Sequence, residues 1–437
     1  MLNCGVLLHA QFSLEKSIGF RLETWGILNS KVNLAKNVFW QYGLQVLKYV
    51  FPFILVPYLT RVLGTGGYAV YAYVLSFMGI VQTFADFGFM LSGTKRVIDL
   101  RDEKKELCRL LGSITMARIA LALILCVGVF CASQFIPLMR NNMFYVLVAF
   151  LATVTRALLP DFIFQGFEDM GPLTTRFFVS KIVSVGLTLI LVRAPQDLVL
   201  VALADFMGGL VALVWSFATA RNRYGVQIAR TGIGEVLSEL KSSAVYCISN
   251  IGTTLVSGFT TFVVGVVLTN PTDVAYWSLA LTTVSAVQAL YTPISNSLYP
   301  YVMSHQDLGL AKKLGLLAAP ALIIGTIAYC LLSPQIFLLL GGEEYVKGSW
   351  VMVALAAVLP LSFYSILIGW PVLGAMGRVK ELTASTLVSG LVNAALLFGI
   401  SMLGQASLLS ICVVRCVAEG VLLASRALAL AKCRSRG

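Results

Sequence analysis

Apolar runs of 18 to 25 residues recur along this chain, and between Arg61 and Lys95 a single charged side chain, Asp86, interrupts them. As a helix rising 1.5 Å per residue, a run of about 20 residues covers roughly 30 Å, the hydrocarbon thickness of a bilayer. Spanning strands would instead need alternating segments of about ten residues. Composition agrees with helices in lipid: 58% of the 437 residues are hydrophobic and 12% are charged, against about 25% charged in an ordinary soluble domain. That leaves too little polar surface to cover a globule of this length in water. The chain reads as an all-α polytopic membrane protein.

The runs divide into twelve expected spans, at 38–60, 68–92, 110–132, 143–166, 172–192, 198–220, 243–268, 274–299, 314–340, 348–373, 382–402 and 406–430. Short turns such as "GTGG" at 64–67, "NPTD" at 270–273 and "GGEE" at 341–344 separate some of them. With the N-terminus placed in the cytoplasm, 24 Lys and Arg fall on the inner side. Only Arg61, Arg140, Arg193 and Lys347 fall on the outer side. This is a strong positive-inside bias, and an even number of spans returns the C-terminus to the cytoplasm. The formal net charge of +12 is spread over these inner segments and forms no single patch, which argues against a nucleic-acid partner.

Val62-Leu63, Tyr71 and Val81-Gln82 are echoed by Val267-Leu268, Tyr276 and Val287-Gln288. The echo matches a six-plus-six organisation of the kind found in transporters. The expected divisions are a cytoplasmic N-terminal extension at 1–32, a first lobe at 33–220, an inter-lobe linker at 221–242, and a second lobe with a basic tail at 243–437. Pro52 and Pro57 in the first span, with Pro293 and Pro300 around the end of the eighth, are places where helices can bend.

Catalytic motifs are absent. Asp86-Phe87-Gly88 copies the magnesium-binding triplet of protein kinases, but no H-R-D loop accompanies it and the chain has two histidines, His9 and His305. There is no Walker loop, and nine cysteines show no C-x-x-C pairing. No metal, cofactor or enzymatic activity is expected; coupling to H⁺ or Na⁺ is left open. Such a chain is expected to move a substrate rather than transform one.

Ionisable residues inside spans are unfavourable unless they face water or one another. Eight stand out: Lys48, Asp86, Arg118, Arg156, Asp161, Asp205, Arg415 and Glu419. Arg415 and Glu419 are four apart and share a helix face, so they can neutralise each other. Lys48, Arg118 and Arg156 outnumber convenient partners and are candidates, with Arg415, for binding an anionic ligand. Asp86, Asp161, Asp205 and Glu419 are candidate counter-ions or coupling groups, with Asp86 expected to pair with Lys48.

The segments "PYLTRVLGTGGYAVYAY" at 57–73 and "ADFGF" at 85–89 resemble the polysaccharide-export branch of the multidrug/oligosaccharidyl-lipid/polysaccharide (MOP) flippase superfamily, and O-antigen flippases in particular. The resemblance implies two six-helix lobes around a central cavity, as in MATE transporters, opening alternately to the two sides of the bacterial inner membrane. It also implies a cargo, an undecaprenyl-pyrophosphate-linked oligosaccharide carried to the outer leaflet, with membrane lipid, a polysaccharide polymerase and a chain-length regulator as candidate partners. Within that frame the competing readings are a cation-coupled multidrug exporter and a lipid-linked peptidoglycan-precursor flippase. A membrane-embedded polysaccharide polymerase would need a large outer loop, which the spacing does not provide.

Overall fold

The computed structural model describes residues 4–268, 270–291, 294–295, 298–299, 302 and 308–434, with side chains undescribed at 4–38, 41, 49, 245, 248–259, 261–262 and 433–434. The expected N-terminal extension therefore has no described side chains, and Pro293 and Pro300 lie outside the described residues. Among the described residues nine helices are long and apolar enough to cross a membrane. The stretch Tyr42–Asp99, 58 residues, is not one helix: it turns back at Gly64, whose φ of 66° suits a residue without a Cβ. It supplies spans one and two. Spans three to six are Lys104–Phe135, Met143–Gly166, Gly171–Leu191 and Pro195–Tyr224. Ile233–Val267 and Pro271–Ala289 stand where spans seven and eight are expected. Gly309–Leu331, Trp350–Gly374, Val379–Met402 and Leu408–Lys432 complete the set. The fold is all-α, with about twelve membrane helices in two six-helix lobes.

Two breaks in the helices fix how the segments around them pack. The Asp86-Phe87-Gly88 triplet is a turn, with φ of 47° at Phe87 and 80° at Gly88. It ends one helix at Asp86 and starts Phe89–Asp99. A Cβ on Gly88 would meet the Tyr246 Cβ at 2.7 Å and the Cys247 nitrogen at 2.8 Å, so the turn packs directly on span seven. The irregular part of the linker covers only 225–232, since helix continues to Tyr224 and resumes at Ile233. The Ala229 amide donates to the Cys108 carbonyl at 3.3 Å. A Cβ on Gly112 would come within 2.2 Å of the Ala229 oxygen. The linker is thus strapped to the start of span three.

The lobes touch at both ends and in between. Near the 64–67 turn, Tyr345 meets Tyr68 and Tyr276 edge-on, each at 6.0 Å between ring centroids. Thr60 donates to the Leu340 carbonyl at 2.6 Å and Arg61 to that of Leu339 at 2.8 Å. At the opposite end the Ser92 and Ser243 hydroxyls lie 2.7 Å apart, and Arg96 pairs with Glu239 at 3.4 Å. Between these contacts, a Cβ on Gly265 of span seven would fall 1.9 Å from the Tyr73 ring. The two echoed tyrosines take different places: Tyr276 joins the aromatic contact, whereas Tyr71 faces a chamber.

Candidate functional site

That chamber, about 470 Å³, is enclosed by spans one, two, four, five and six of the first lobe and by span eight of the second. Among the described residues its charged lining consists of Lys48, Arg156, Lys181 and Asp205. Spans four, five and six bring the last three together. Arg156 donates from Nη1 to Asp205 Oδ2 and from Nη2 to Thr153 Oγ1 at 3.1 Å. The other Asp205 oxygen accepts from Lys181 Nζ at 3.1 Å and Ser184 Oγ at 3.3 Å. Asp205 is therefore gripped between two cations. Lys48 has no acid partner among the described residues, and its side chain borders the same space. Three cations against one carboxylate leave two positive charges in excess. The rest of the wall is largely aromatic and aliphatic, including Phe51, Tyr71 and Tyr145, which lowers the local dielectric and strengthens every charge interaction inside.

The other sequence candidates lie elsewhere. Arg118 is 3% exposed and donates to Asp86 at 2.6 Å and to the Leu159 carbonyl at 2.8 Å. Its guanidinium carbon sits 5.7 Å from the ring centroids of both Phe89 and Phe162, a cation–π arrangement on two sides. The expected Asp86–Lys48 pair is corrected: span three, not span one, presents the cation at the depth of Asp86. Asp161 is held by both terminal nitrogens of Arg176, which also donates to Ser216 at 3.1 Å. Arg415 and Glu419 pair along their own helix at 2.8 Å. None of these five candidates borders the chamber, and neither does Arg176.

Lys181 is not among the sequence candidates because it is counted with Arg176 toward the inner-side charge, although it lies ten residues into the expected span 172–192. A signal did exist. Lys181, Ser184, Val185 and Thr188 all line the chamber, and offsets of three, four and seven mark one helix face.

The sequence of residues 34–306 matches the family described as polysaccharide biosynthesis protein. The chain belongs to this family. Every residue lining the chamber of this polysaccharide biosynthesis protein falls within the matched region. The chain is 24% identical over 383 residues to a putative O-antigen transporter of Escherichia coli K12, covering 86% of this chain and 91% of that one. Its fold resembles an inward-facing multidrug resistance MATE transporter of the MOP superfamily, with a TM-score of 0.69, 14% identity, and 88% and 96% of the two chains covered. The lipid II flippase MurJ aligns with a TM-score of 0.66 at 12% identity over 90% and 87%. The family member thus has the two-lobed MOP fold, with its charged chamber built chiefly by one lobe.

Proposed function

We propose that this polysaccharide biosynthesis protein is a flippase. It carries an undecaprenyl-pyrophosphate-linked oligosaccharide, an O-antigen or similar repeat unit, from the cytoplasmic to the periplasmic leaflet of the inner membrane by alternating access. Lys48, Arg156 and Lys181 hold the pyrophosphate, and Asp205 is their counter-ion while the chamber is empty. Both termini face the cytoplasm, in keeping with the distribution of Lys and Arg. The linker end is then the cytoplasmic seam and the Tyr68–Tyr345–Tyr276 contact the periplasmic one.

The observation that carries this reading is the chamber's excess of two positive charges. A pyrophosphate diester carries about two negative charges, and charge-assisted bonds to Arg and Lys are the strong way to hold it. An unfilled excess of cations in an apolar surround is unfavourable, so a dianion is the occupant that best completes the site. The volume supports a head group with its first sugars, since single small-molecule sites run to about 300–1,000 Å³. The remaining glycan and the polyprenyl tail lie outside it. A lipid-linked peptidoglycan precursor offers the same head-group chemistry and is separated from an O-antigen unit by its glycan. An exporter of cationic drugs needs surplus acid, but Asp205 is the chamber's one carboxylate among the described residues and is already matched by two cations. Among the described residues, the one carboxylate beside a chamber hydroxyl, Asp205 next to Ser184, is held by Arg156 and Lys181, which makes it a poor base for a polymerase.

The test is complementation of a flippase-null strain with Lys48→Gln and Arg156→Gln, with inserted protein quantified. Surface polysaccharide is expected to be lost in each while membrane insertion is retained. Wild-type levels of polysaccharide in both would overturn the reading.

A further inference from the structure

Span eight is the second lobe's contribution to the chamber, and it sends in no charge. Ser278, Thr282 and Ser285 line the space, and their offsets of four and three residues put them on one face of Pro271–Ala289. Ser278 is 7% exposed, and its Oγ has no hydrogen-bond partner. Buried hydroxyls are ordinarily satisfied; this one is unpaired, its oxygen lying just beneath the chamber wall rather than open to it. Thr282 donates to the Ser278 carbonyl at 2.9 Å and shares a side-chain hydrogen bond with Tyr68, which leaves one oxygen lone pair to accept. The back of the same helix behaves differently. There Thr283 bonds the Ala280 carbonyl at 2.7 Å and the Tyr329 hydroxyl at 2.6 Å. The helix satisfies its hydroxyls fully where it packs and leaves hydrogen-bonding capacity unused on the side that borders the chamber.

The two walls therefore ask for different chemistry. The first lobe offers cations; the second offers neutral groups that both donate and accept. We propose that the hydroxyl face of span eight is a saccharide subsite, holding the uncharged sugar attached directly to the pyrophosphate. This deepens the flippase reading and rests on it. Sugar hydroxyls pair with serine and threonine in either direction, whereas a carboxylated sugar here would find no cation on span eight. Ser278, Thr282 and Ser285 would then determine which head groups are accepted, with the phosphates anchoring any of them.

The experiment uses the full chain in lipid nanodiscs, as wild type and as Ser278→Ala/Thr282→Val/Ser285→Ala, which removes the hydroxyls at nearly constant volume. Two probes are titrated: undecaprenyl pyrophosphate without sugar, and the pyrophosphate-linked oligosaccharide extracted from the producing cells. Wild type is expected to bind the glycosylated lipid about tenfold more tightly. The triple variant is expected to bind both at the level of the bare lipid, which also reports an intact chamber. The single Ser278→Ala variant, a far milder change, is expected to lose part of the preference. A preference that survives both substitutions, or its absence from wild type, would overturn the inference. Failure of the flippase reading looks different: binding of both lipids would then be indifferent to Lys48→Gln and Arg156→Gln.

Discussion

Replacing Asp205 by Asn keeps its size but leaves Arg156 and Lys181 facing an uncharged amide. The chamber's excess then rises by one positive charge. The expected outcome is tighter binding of undecaprenyl pyrophosphate by at least several-fold, with slower release and lower turnover. Equilibrium binding alongside a flipping assay checks this, and weaker binding would show that the carboxylate positions the cations rather than competing with the phosphate. Arg118→Met is expected to behave in another way. It strands the Asp86 charge inside the first lobe, and breaking a buried pair from one side typically costs about 3–5 kcal/mol. Melting temperature should fall, and Asp86→Asn added to it should restore much of the loss. Reduced pyrophosphate binding at unchanged melting temperature would instead place Arg118 in the site. In sequence these two arginines look alike, each an isolated cation in an apolar run. Their separation depends on rotation about the helix axis, and helices apolar all round carry no pattern that sets it. Lys48, Arg156 and Asp205 were legible because charge in lipid is rare. Lys181 was hidden because it counted with Arg176 toward the inner-side charge, although it lies in the middle of its span.

Helices themselves were the most legible level, because span length follows from bilayer thickness and turn residues mark the breaks. Helix runs up to the reversal at Gly64, which changes a boundary without changing the number of crossings. What the runs of apolar residues could not convey is how the connections pack. The inter-lobe linker was expected over 221–242; its irregular part, 225–232, is short and fastened to span three through Cys108 and Gly112. Gly112→Val places atoms where the Ala229 carbonyl sits. Overpacking of this kind typically costs about 1–3 kcal/mol, so the strap is expected to lift. Faster cleavage by trypsin at Arg223 or Arg230 in the folded protein measures it, and an unchanged cleavage rate would mean that the linker shifts without detaching.

Over the whole molecule, the close approach of span seven to span two at Gly265 and Tyr73 makes the lobe interface sensitive to one side chain. Gly265→Leu is expected to wedge the lobes apart and abolish transport in a chain that still inserts. Tyr73→Ala in the same chain should vacate the space and restore part of the activity. Failure of that rescue, with Tyr73→Ala alone still active, would place the effect of the leucine elsewhere. The six-plus-six plan was legible from the echo and the turn spacing, whereas the contacts that join the lobes come from residues far apart in sequence with no shared pattern.

The proposed match of two excess cations to a dianionic cargo has an energetic corollary. Once loaded, the chamber is close to neutral, and a transmembrane voltage does little work on its passage. The vacant carrier is the charged species, and a negative cytoplasm pulls its cationic wall back inward. At about 2.3 kcal/mol per charge for every 100 mV, two charges moved through the full field gain roughly 5 kcal/mol per 100 mV in resetting. The membrane battery would then drive the empty return stroke, so that depolarisation slows recycling and leaves a single turnover of preloaded protein almost untouched.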